Sequence, residues 1–353
     1  MTYPNDIFKD LVVIELATVL AGPAVGMFFA ELGARVIKIE SPNGGDVTRS
    51  WKLAIEDEAS NASAYFHSIN YKKEHLFLDL EEEEALEQVY ALVQTADIVV
   101  SNFKSSSAQR LKVDYKHLKK FNSSIIYAEL IAFDHTSKKV GYDAVMQAEA
   151  GFLSISGTKD GELVKMPVAL IDLMAAHQLK EAILIALLRK FKEGVGAHIE
   201  VSLLDAGIAS LANQASNFLN AGYVAQPMGM LHPNIAPYGE LFLLSDGNKI
   251  VLAIGDDKQF GRLVKAMGLE QRSEFETNPL RLKNRAALYP YLADSISEKN
   301  LEEIEPLLES YAVPYGHVKS IKQVMDYARN NNLVLSDNDS SQRIRTAVFK
   351  FKT

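Results

Sequence analysis

The sequence contains no cysteine, no long apolar run and no excess of basic residues. Without cysteine, disulfides, cysteine-ligated metals and thiol catalysis are excluded, and the reducing cytoplasm is the expected location. No apolar run reaches the ~20 residues of a membrane-spanning helix, so no membrane partner is expected. Residues 1–6 also lack the basic and apolar regions of a signal peptide. Lysine and arginine total 37 against 45 acidic residues, and the net charge of −8 argues against a nucleic-acid partner.

Two common kinds of catalytic site are also missing from the sequence. Histidine never occurs at the H-x-H or H-E-x-x-H spacing of metal ligands, so no metal site is expected. There is no G-x-S-x-G nucleophile turn and no phosphate-binding P-loop. The histidines are His67, His75, His117, His135, His177, His198, His232 and His317.

The 353 residues, 48% of them hydrophobic, alternate between strand-like and helix-like segments. This alternation predicts an α/β fold with a mostly parallel sheet. In the N-terminal part, residues 21–26 are expected to form a turn before a helix. A hairpin with an Asp-Gly turn is expected at residues 241–254, and a poorly packed tail from Leu333 onward. The expected strands are 11–14, 36–39, 76–80, 97–100, 125–130 and 198–201.

The first strand–helix–strand segment raises a dinucleotide-binding alternative. Glu40 follows the second expected strand, where such folds place the carboxylate that binds a ribose. However, Gly22 and Gly26 fit G-x-x-x-G and not the G-x-G-x-x-G fingerprint. The nicotinamide interpretation is therefore weak.

Asp172 lies inside the apolar run 168–176 and is the most informative residue of the chain. An unpaired carboxylate is costly to bury, so its position needs a reason. Asp172 could be the N-cap of a buried helix. It could also be a partly desolvated nucleophile that holds an acyl group covalently. His177 lies five residues later, about 140° around a helix, so the two cannot form a dyad on one helical face.

Several sequence blocks, taken together and in order, resemble the class III CoA-transferases, the CaiB/BaiF family. This family includes formyl-CoA transferase, carnitine CoA-transferase and α-methylacyl-CoA racemase. No single block is specific, but the resemblance extends over nearly the whole chain. The blocks are 13–16 with 21–23, 32–40, 45–49, 101–103, 141–147, 168–176, 194–205, 232–239 and 313–316.

The resemblance implies a large Rossmann-like domain with a parallel sheet and a smaller, inserted α+β domain. The expected limits are 1–222 for the large domain, 223–325 for the small domain and 326–353 for the segment that returns to the first. An interlinked, ring-shaped homodimer is also implied. Acyl-CoA and a carboxylic acid would be the substrates, with no permanently bound cofactor.

Asp172 matches the position of the family's nucleophile. The implied cycle runs through an aspartyl mixed anhydride and an aspartyl-CoA thioester. Backbone N–H groups at the start of the following helix are expected to stabilise the oxyanion. The matching catalytic positions are Asp172, Tyr142 and Asp143, and those for CoA are Ala21, Lys73, Asn102, Phe103, Lys104, Arg110, Val140 and Gly141.

One position separates the branches of the family. Its racemases resemble Gly-His-Asp where this chain has Gly141-Tyr142-Asp143. A tyrosine, with a usual pKa of about 10, is a poor general base at neutral pH, which favours a transferase. A racemase or epimerase and a non-catalytic CoA-binding paralogue remain as alternatives. The chain also lacks the glycine-rich loop of formyl-CoA transferase, which argues against oxalate or formate as substrate.

Overall fold

The computed structural model describes residues 6–134, 136–137 and 139–351. His135 and the segment 1–5, which entered the metal and signal-peptide arguments, lie outside these ranges. The chain divides into two compact units, and the described residues belong to one or the other. The first unit is Met1–Ser154, Lys165–Ala225 and Ala328–Thr353, and the second is Ile155–Val164 and Gln226–Tyr327. The predicted domain limits differ from these units mainly at residues 155–164.

A six-stranded, entirely parallel sheet organises the first unit, which confirms the predicted sheet. Its strand order, β3-β2-β1-β4-β5-β6, is the order of doubly wound α/β folds. The central strands, β1 and β4, are buried on both faces and mostly apolar, as parallel strands covered by helices must be, with Glu15 of β1 as the charged exception. The strands are β1 (Val12–Leu16), β2 (Arg35–Glu40), β3 (Lys73–Phe77), β4 (Ile98–Ser101), β5 (Ile126–Ile131) and β6 (Ala197–Ser202).

The longest helix of the first unit is α8, residues Leu170–Glu193. Ile171, Ala175, Leu179 and Ile183 recur at every fourth position and form its buried stripe. Gly194 ends the helix with a φ of 72°, a conformation that glycine adopts without strain. The other helices are α1 (Ala21–Glu31), α2 (Ala64–His67), α3 (Glu83–Thr95), α4 (Ser105–Arg110), α5 (Tyr115–Leu118), α6 (Asp143–Glu149), α9 (Leu203–Ala209) and α10 (Ala212–Ala221).

The turn predicted at residues 21–26 is wrong, because α1 already begins at Ala21. Pro23 is tolerated there, since the first turn of a helix has no intrahelical use for its missing N–H. Gly26 faces β1 so closely that a Cβ would lie 1.9 Å from Glu15 Oε2. The glycine therefore serves helix packing, and the true loop is only residues 17–20.

Two other expectations need correction. β3 begins at Lys73 and ends at Phe77, three residues earlier than predicted, because its register is set by pairing with β2. The C-terminal segment is not uniformly loose, since it forms a hairpin of β10 (Val334–Ser336) and β11 (Gln342–Ile344). Glu31 then accepts hydrogen bonds from the N–H groups of Thr346 and Ala347, and Ala347 is buried.

The second unit is built on a three-stranded antiparallel sheet in the order β7-β8-β9. The predicted hairpin is confirmed, with residues 244–248 forming the turn between β7 and β8. Its core contains Phe242, Ile250 and Leu292. Its elements are β7 (Tyr238–Leu243), β8 (Lys249–Ala253), β9 (Tyr315–His317), α11 (Asp257–Ala266), α12 (Asn278–Lys283), α13 (Arg285–Ser297) and α14 (Leu301–Ser310).

Four short or boundary elements complete the structure. The 3-10 turns are Val47–Ser50 and Ser273–Phe275, and α7 (Phe152–Ile155) and α15 (Ile321–Asn330) contain unit boundaries. Within the described ranges, no helix combines the length and apolar character needed to cross a bilayer.

Candidate active site

A cavity of about 570 Å³ lies at the carboxyl ends of β1, β4 and β5. In doubly wound sheets, ligands bind in the crevice where the strand order reverses, which here is between β1 and β4. The segments that follow these strands form the walls, with Asp172 and Leu203 completing them. The wall segments are residues 18–21, 102–107 and 130–142, of which the structure does not describe 135 and 138.

Asp172 lies in the first turn of α8, and only 7% of its surface is exposed. The N-cap position belongs to Ala169, so Asp172 is not the N-cap that one sequence interpretation allowed. In the described part of the chain, no protein group donates a hydrogen bond to its carboxylate. Burial, followed by the charge of Asp143, raises the pKa of Asp172 to about 7. A carboxylate that is desolvated and unpaired yet ionisable near neutral pH is suited to nucleophilic attack.

Asp143 holds the backbone at Asp172 in place. Its Oδ1 accepts hydrogen bonds from the N–H of Ile171 at 2.8 Å and of Asp172 at 3.4 Å. Its Oδ2 accepts a third from Gln147 Nε2 at 2.6 Å. The N–H groups at this helix start were expected to stabilise an oxyanion, but two of them are already bonded to Asp143. An oxyanion therefore needs other donors.

Tyr142 precedes Asp143 and is the N-cap residue of α6. Its side chain lines the cavity and is 52% exposed, next to the exposed side chain of Val140. Gly141 allows this arrangement, because a Cβ there would lie 2.4 Å from the Cβ of Ala132. The end of the segment between β5 and α6 thus packs against Ala132, the residue after β5, and this places Tyr142 in the cavity wall.

Ala21, Asn102, Phe103 and Lys104 also lie on the cavity wall, as their expected contact with CoA requires. The polar atoms of Asn102 are engaged, however. Its Oδ1 accepts from the Thr18 N–H at 3.0 Å, and its Nδ2 donates to the Thr18 carbonyl at 2.8 Å. Asn102 therefore ties the segment after β4 to the segment after β1.

The structure does not bring Lys73 and Arg110 to this cavity. Lys73 Nζ is enclosed by Glu15, the Pro23 carbonyl and Asn70 Oδ1 at 2.8–3.0 Å. Burial lowers the pKa of Lys73 to about 8. Arg110 is exposed and pairs with Glu81 at 2.6 Å.

Tyr65 is a residue that the sequence interpretation missed. Burial raises its pKa to about 12, and the negative charges of Asp172, Asp143 and Asp46 add to the effect. The phenol therefore stays protonated within electrostatic reach of Asp172. The ring of Trp51 packs edge-on against the ring of Tyr65, with 5.1 Å between the ring centroids. No sequence signal marked this tyrosine, because α2 is a single turn far from Asp172 in the chain.

Three further observations concern alternatives to this site. A larger cavity, about 820 Å³, lies between segments 49–75 and 337–342; the predicted CoA-binding residue Lys73 lines it, but none of the three predicted catalytic residues does. Glu40, the carboxylate of the dinucleotide alternative, is bound by Arg49 at 2.7 Å and by His75 at 2.7 Å. Among the described residues, no group of three His, Cys, Asp or Glu side chains could hold a metal ion.

Comparison with known proteins identifies the family of this chain. Its residues 8–352 match CoA-transferase family III. Succinate–glutarate CoA-transferase of Agrobacterium fabrum is 36% identical over 321 residues, which cover 88% of this chain and 80% of that protein. Succinyl-CoA:glutarate CoA-transferase of Mus musculus is 31% identical over 334 residues, covering 92% and 76%. The crystal structure of a CaiB/BaiF family protein from Brucella suis has a TM-score of 0.86 at 35% identity, covering 99% of this chain and 93% of that one. The chain therefore belongs to CoA-transferase family III.

Proposed function

We propose that this protein moves CoA from an acyl-CoA thioester to a carboxylic acid, with Asp172 as the nucleophile. The observation that carries the proposal is the buried, unpaired carboxylate of Asp172 on the wall of the cavity at the sheet's switch point. Its pKa of about 7 leaves a large ionised fraction at neutral pH. Family membership supplies the reaction class.

Each step exchanges one acyl bond for another. The Asp172 carboxylate attacks the thioester carbonyl and the C–S bond breaks. CoA departs as the thiolate, and Asp172 and the donor acyl group are joined as a mixed anhydride. The thiolate then attacks the Asp172 carbonyl carbon and expels the donor acid, which forms an aspartyl-CoA thioester. The acceptor carboxylate then attacks the aspartyl-CoA thioester, which releases CoA thiolate and forms a new mixed anhydride. The thiolate attacks the acceptor carbonyl of this anhydride, so that the acceptor leaves as its CoA thioester and the Asp172 carboxylate is regenerated. One thioester replaces another, so no ATP is needed.

Water must be excluded, because both intermediates hydrolyse. The apolar neighbours of Asp172 on α8, Ile171 and Ala175, are fully buried and support this requirement. With the N–H groups of Ile171 and Asp172 bonded to Asp143, we assign the donors for the oxyanion to the phenols of Tyr65 and Tyr142. Asp143 acts on Asp172 in two ways: its carboxylate holds the backbone at the start of α8, and its negative charge raises the pKa of Asp172.

We assign CoA to the cavity wall. Phe103 offers a ring for stacking on adenine and Lys104 a cation for the phosphates, with Ala21, Val140 and Gly141 packing along the chain of the cofactor. Asn102 shapes the wall through Thr18. Arg110 requires release from Glu81 before it can bind a phosphate. Lys73 is enclosed by protein atoms, so we assign it a structural place behind the wall.

Succinyl-CoA as donor and glutarate as acceptor are the substrates we propose to test first. The support is the names of the relatives from Agrobacterium fabrum and Mus musculus, which act on succinyl and glutaryl groups. We also propose the domain limits 1–222, 223–325 and 326–353, and a cytoplasmic location, which cell fractionation tests.

We further propose the interlinked homodimer that the resemblance implies. Ile185, Leu188 and Phe191 on α8 expose 63%, 61% and 72% of their surface, and Phe218 and Leu219 on α10 are also exposed. Large apolar side chains exposed on helices, such as these, are typical of protein interfaces. Light scattering on the purified protein should give twice the chain mass, and a monomeric mass contradicts the proposal.

The experiment for the catalytic proposal is intact-protein mass spectrometry after incubation with a panel of acyl-CoAs. On untreated protein the covalent intermediates are read directly, and in a parallel sample hydroxylamine or borohydride expels the acid or CoA and marks Asp172 as the hydroxamate or the alcohol. We expect an acyl- or CoA-sized adduct on the wild type and none on Asp172→Ala. Asp205→Ala is the matched control, since Asp205 also lies in the first turn of a helix but is exposed.

The absence of an adduct with every donor, while CoA still binds, contradicts the proposed nucleophile. Solvent deuterium at the α-carbon of recovered acyl-CoA would point to the racemase alternative. We expect no such exchange, because Tyr142 stands where the racemases have histidine.

A further inference from the structure

Four charged side chains are enclosed directly behind the cavity wall. Glu15, Lys38 and Asp46 have no exposed surface, and the side chain of Lys73 is equally enclosed. Two positive charges balance two negative ones. Replacing buried ion pairs by apolar residues is often neutral or stabilising, so such a cluster is poorly explained by stability alone.

Lys38 is the centre of this ionic cluster. Its Nζ lies 2.9 Å from Glu15 Oε1 and 3.0 Å from Asp46 Oδ2. It also donates to the carbonyl of Ala17 at 2.5 Å. Burial opposes the charge of Lys38, but Glu15 and Asp46 outweigh that effect and raise its pKa. Lys38 therefore stays charged and is fixed on three sides.

Asp46 links Lys38 to two further residues, Val19 in the segment after β1 and Thr48 in the 3-10 turn that follows Asp46. Its carboxylate accepts from the Val19 N–H at 3.2 Å and from the Thr48 hydroxyl at 2.8 Å. Val19 has a φ of 70°, which a β-branched residue rarely adopts. Such a conformation costs about 1–3 kcal/mol and persists only where surrounding contacts impose it.

The segment 17–20 is thus held at three consecutive residues. Lys38 binds Ala17, Asn102 binds Thr18 through two hydrogen bonds, and Asp46 binds Val19. Residues 18–21 are part of the wall of the cavity that contains Asp172. A shift of this wall by an ångström would move any thioester that rests on it relative to the nucleophile.

We infer that Lys38 is a positioning residue for CoA transfer: through Ala17 and Asp46 it fixes the segment 17–20 on which the bound thioester rests. The inference depends on the proposed function, since it names a further residue for the same reaction. Lys38 itself touches no substrate.

The test is the charge-balanced double variant Lys38→Met/Glu15→Gln, which removes one charge of each sign and leaves Lys73 and Asp46, whose opposite charges attract each other without a direct ion pair. We expect a folded protein whose kcat falls about tenfold or more, with a smaller change in KM, because alignment and not affinity is lost. Hydrogen exchange at the amides of Thr18 and Val19 should accelerate. The matched control is Arg35→Gln, which breaks an exposed pair with Glu74 on neighbouring strands and should change neither readout.

A lowered melting temperature with unchanged kcat, KM and exchange in segment 17–20 overturns the inference, since Lys38 would then be a structural ion only. If the double variant does not fold, Asp46→Asn decides by the same readouts. It keeps an acceptor for Val19 but removes the charge that faces Lys38.

Failure of the proposed function is separable from failure of this inference. The proposed function is refuted if the wild-type protein shows neither CoA transfer nor an adduct on Asp172. The exchange measurement requires no substrate, and unchanged exchange at Thr18 and Val19 refutes the positioning role by itself.

Discussion

Two buried carboxylates of the first unit, Asp172 and Glu15, show opposite electrostatic behaviour. Both are almost completely removed from water. For Asp172, burial and the like charge of Asp143 raise the pKa to about 7. For Glu15, burial acts in the same direction, but Lys38 and Lys73 outweigh it and the pKa falls. Both carboxylates are buried, so their charged neighbours decide the direction of the pKa shift; under the proposed function, Asp172 is the reactive carboxylate and Glu15 the structural one.

The proposed function implies a division of labour across the cavity wall. On the cavity side, no described protein group donates a hydrogen bond to the carboxylate of Asp172, which under this proposal keeps it available for an acyl group. Behind the wall, every charge is neutralised by a neighbour and the backbone between them is fixed. The segment 17–20 separates these two regions.

The largest effect should follow from Asp172→Asn. If Asp172 is the nucleophile, kcat falls by a factor of roughly 10³ or more, because the amide of the variant cannot take the acyl group as the carboxylate does. Steady-state assays with succinyl-CoA and glutarate measure this loss. Activity within tenfold of the wild type contradicts the nucleophilic role.

The same variant should be more stable than the wild type at alkaline pH. The pKa of Asp172 is higher in the folded state than its ordinary value of 3.8, so the wild type loses stability as the pH rises from about 4 to about 7. A rise to about 7 corresponds to at most roughly 4 kcal/mol, and relaxation reduces it to about 2 kcal/mol. Denaturant unfolding should show this gain at pH 8 and little difference near pH 4.

Glu15→Gln should have the opposite effect on stability. It leaves Lys38 and Lys73 facing Asp46 alone, and an uncompensated buried charge costs about 3 kcal/mol or more. The loss should be present above the ordinary pKa of glutamate and vanish only in acid, because the pKa of Glu15 is lowered in the folded state. The control Glu74→Gln breaks an exposed pair and should cost less than about 1 kcal/mol.

These contrasts also mark how far the sequence could predict the structure. The alternating pattern was sufficient for the parallel sheet, and the apolar run around Asp172 identified the unusual carboxylate. Asn102 and Tyr142 were expected in the site only because their positions match the family, and the structure places both on the cavity wall.

The pairing of the buried groups could not be predicted. Lys72 and Lys73 are adjacent, and only the start of β3 decides that Lys73 points inward while Lys72 is exposed. Asp143 lies 28 residues before Ile171, and their hydrogen bond depends on how α6 packs against α8. Such contacts arise from tertiary packing, to which hydrophobic periodicity is blind.

The next prediction concerns the pH dependence of catalysis. If Asp172 must be ionised, kcat/KM should rise with pH through about 7. Asp143→Asn removes the neighbouring negative charge but keeps an oxygen for the Ile171 N–H. The pH midpoint should therefore move down by roughly one unit or less, since desolvation is the larger cause of the raised pKa. An unchanged pH midpoint in Asp143→Asn would show that the charge of Asp143 does not affect the ionisation of Asp172.

The smallest expected effect tests the segment that joins the two regions. Val19→Gly removes the steric cost of a φ of 70°, so the fold should be stabilised by up to about 1 kcal/mol or left unchanged. Activity should nevertheless fall about threefold, because a glycine lets the wall beside Asp172 move. Lys112→Gly is the matched control, since Lys112 also has a positive φ, 54°, but does not line the cavity. Equal activity of both variants and the wild type means that the backbone at Val19 does not position the substrate. A selective loss in Val19→Gly, with no loss of stability, ties catalysis to the rigidity of the segment that the ionic cluster holds.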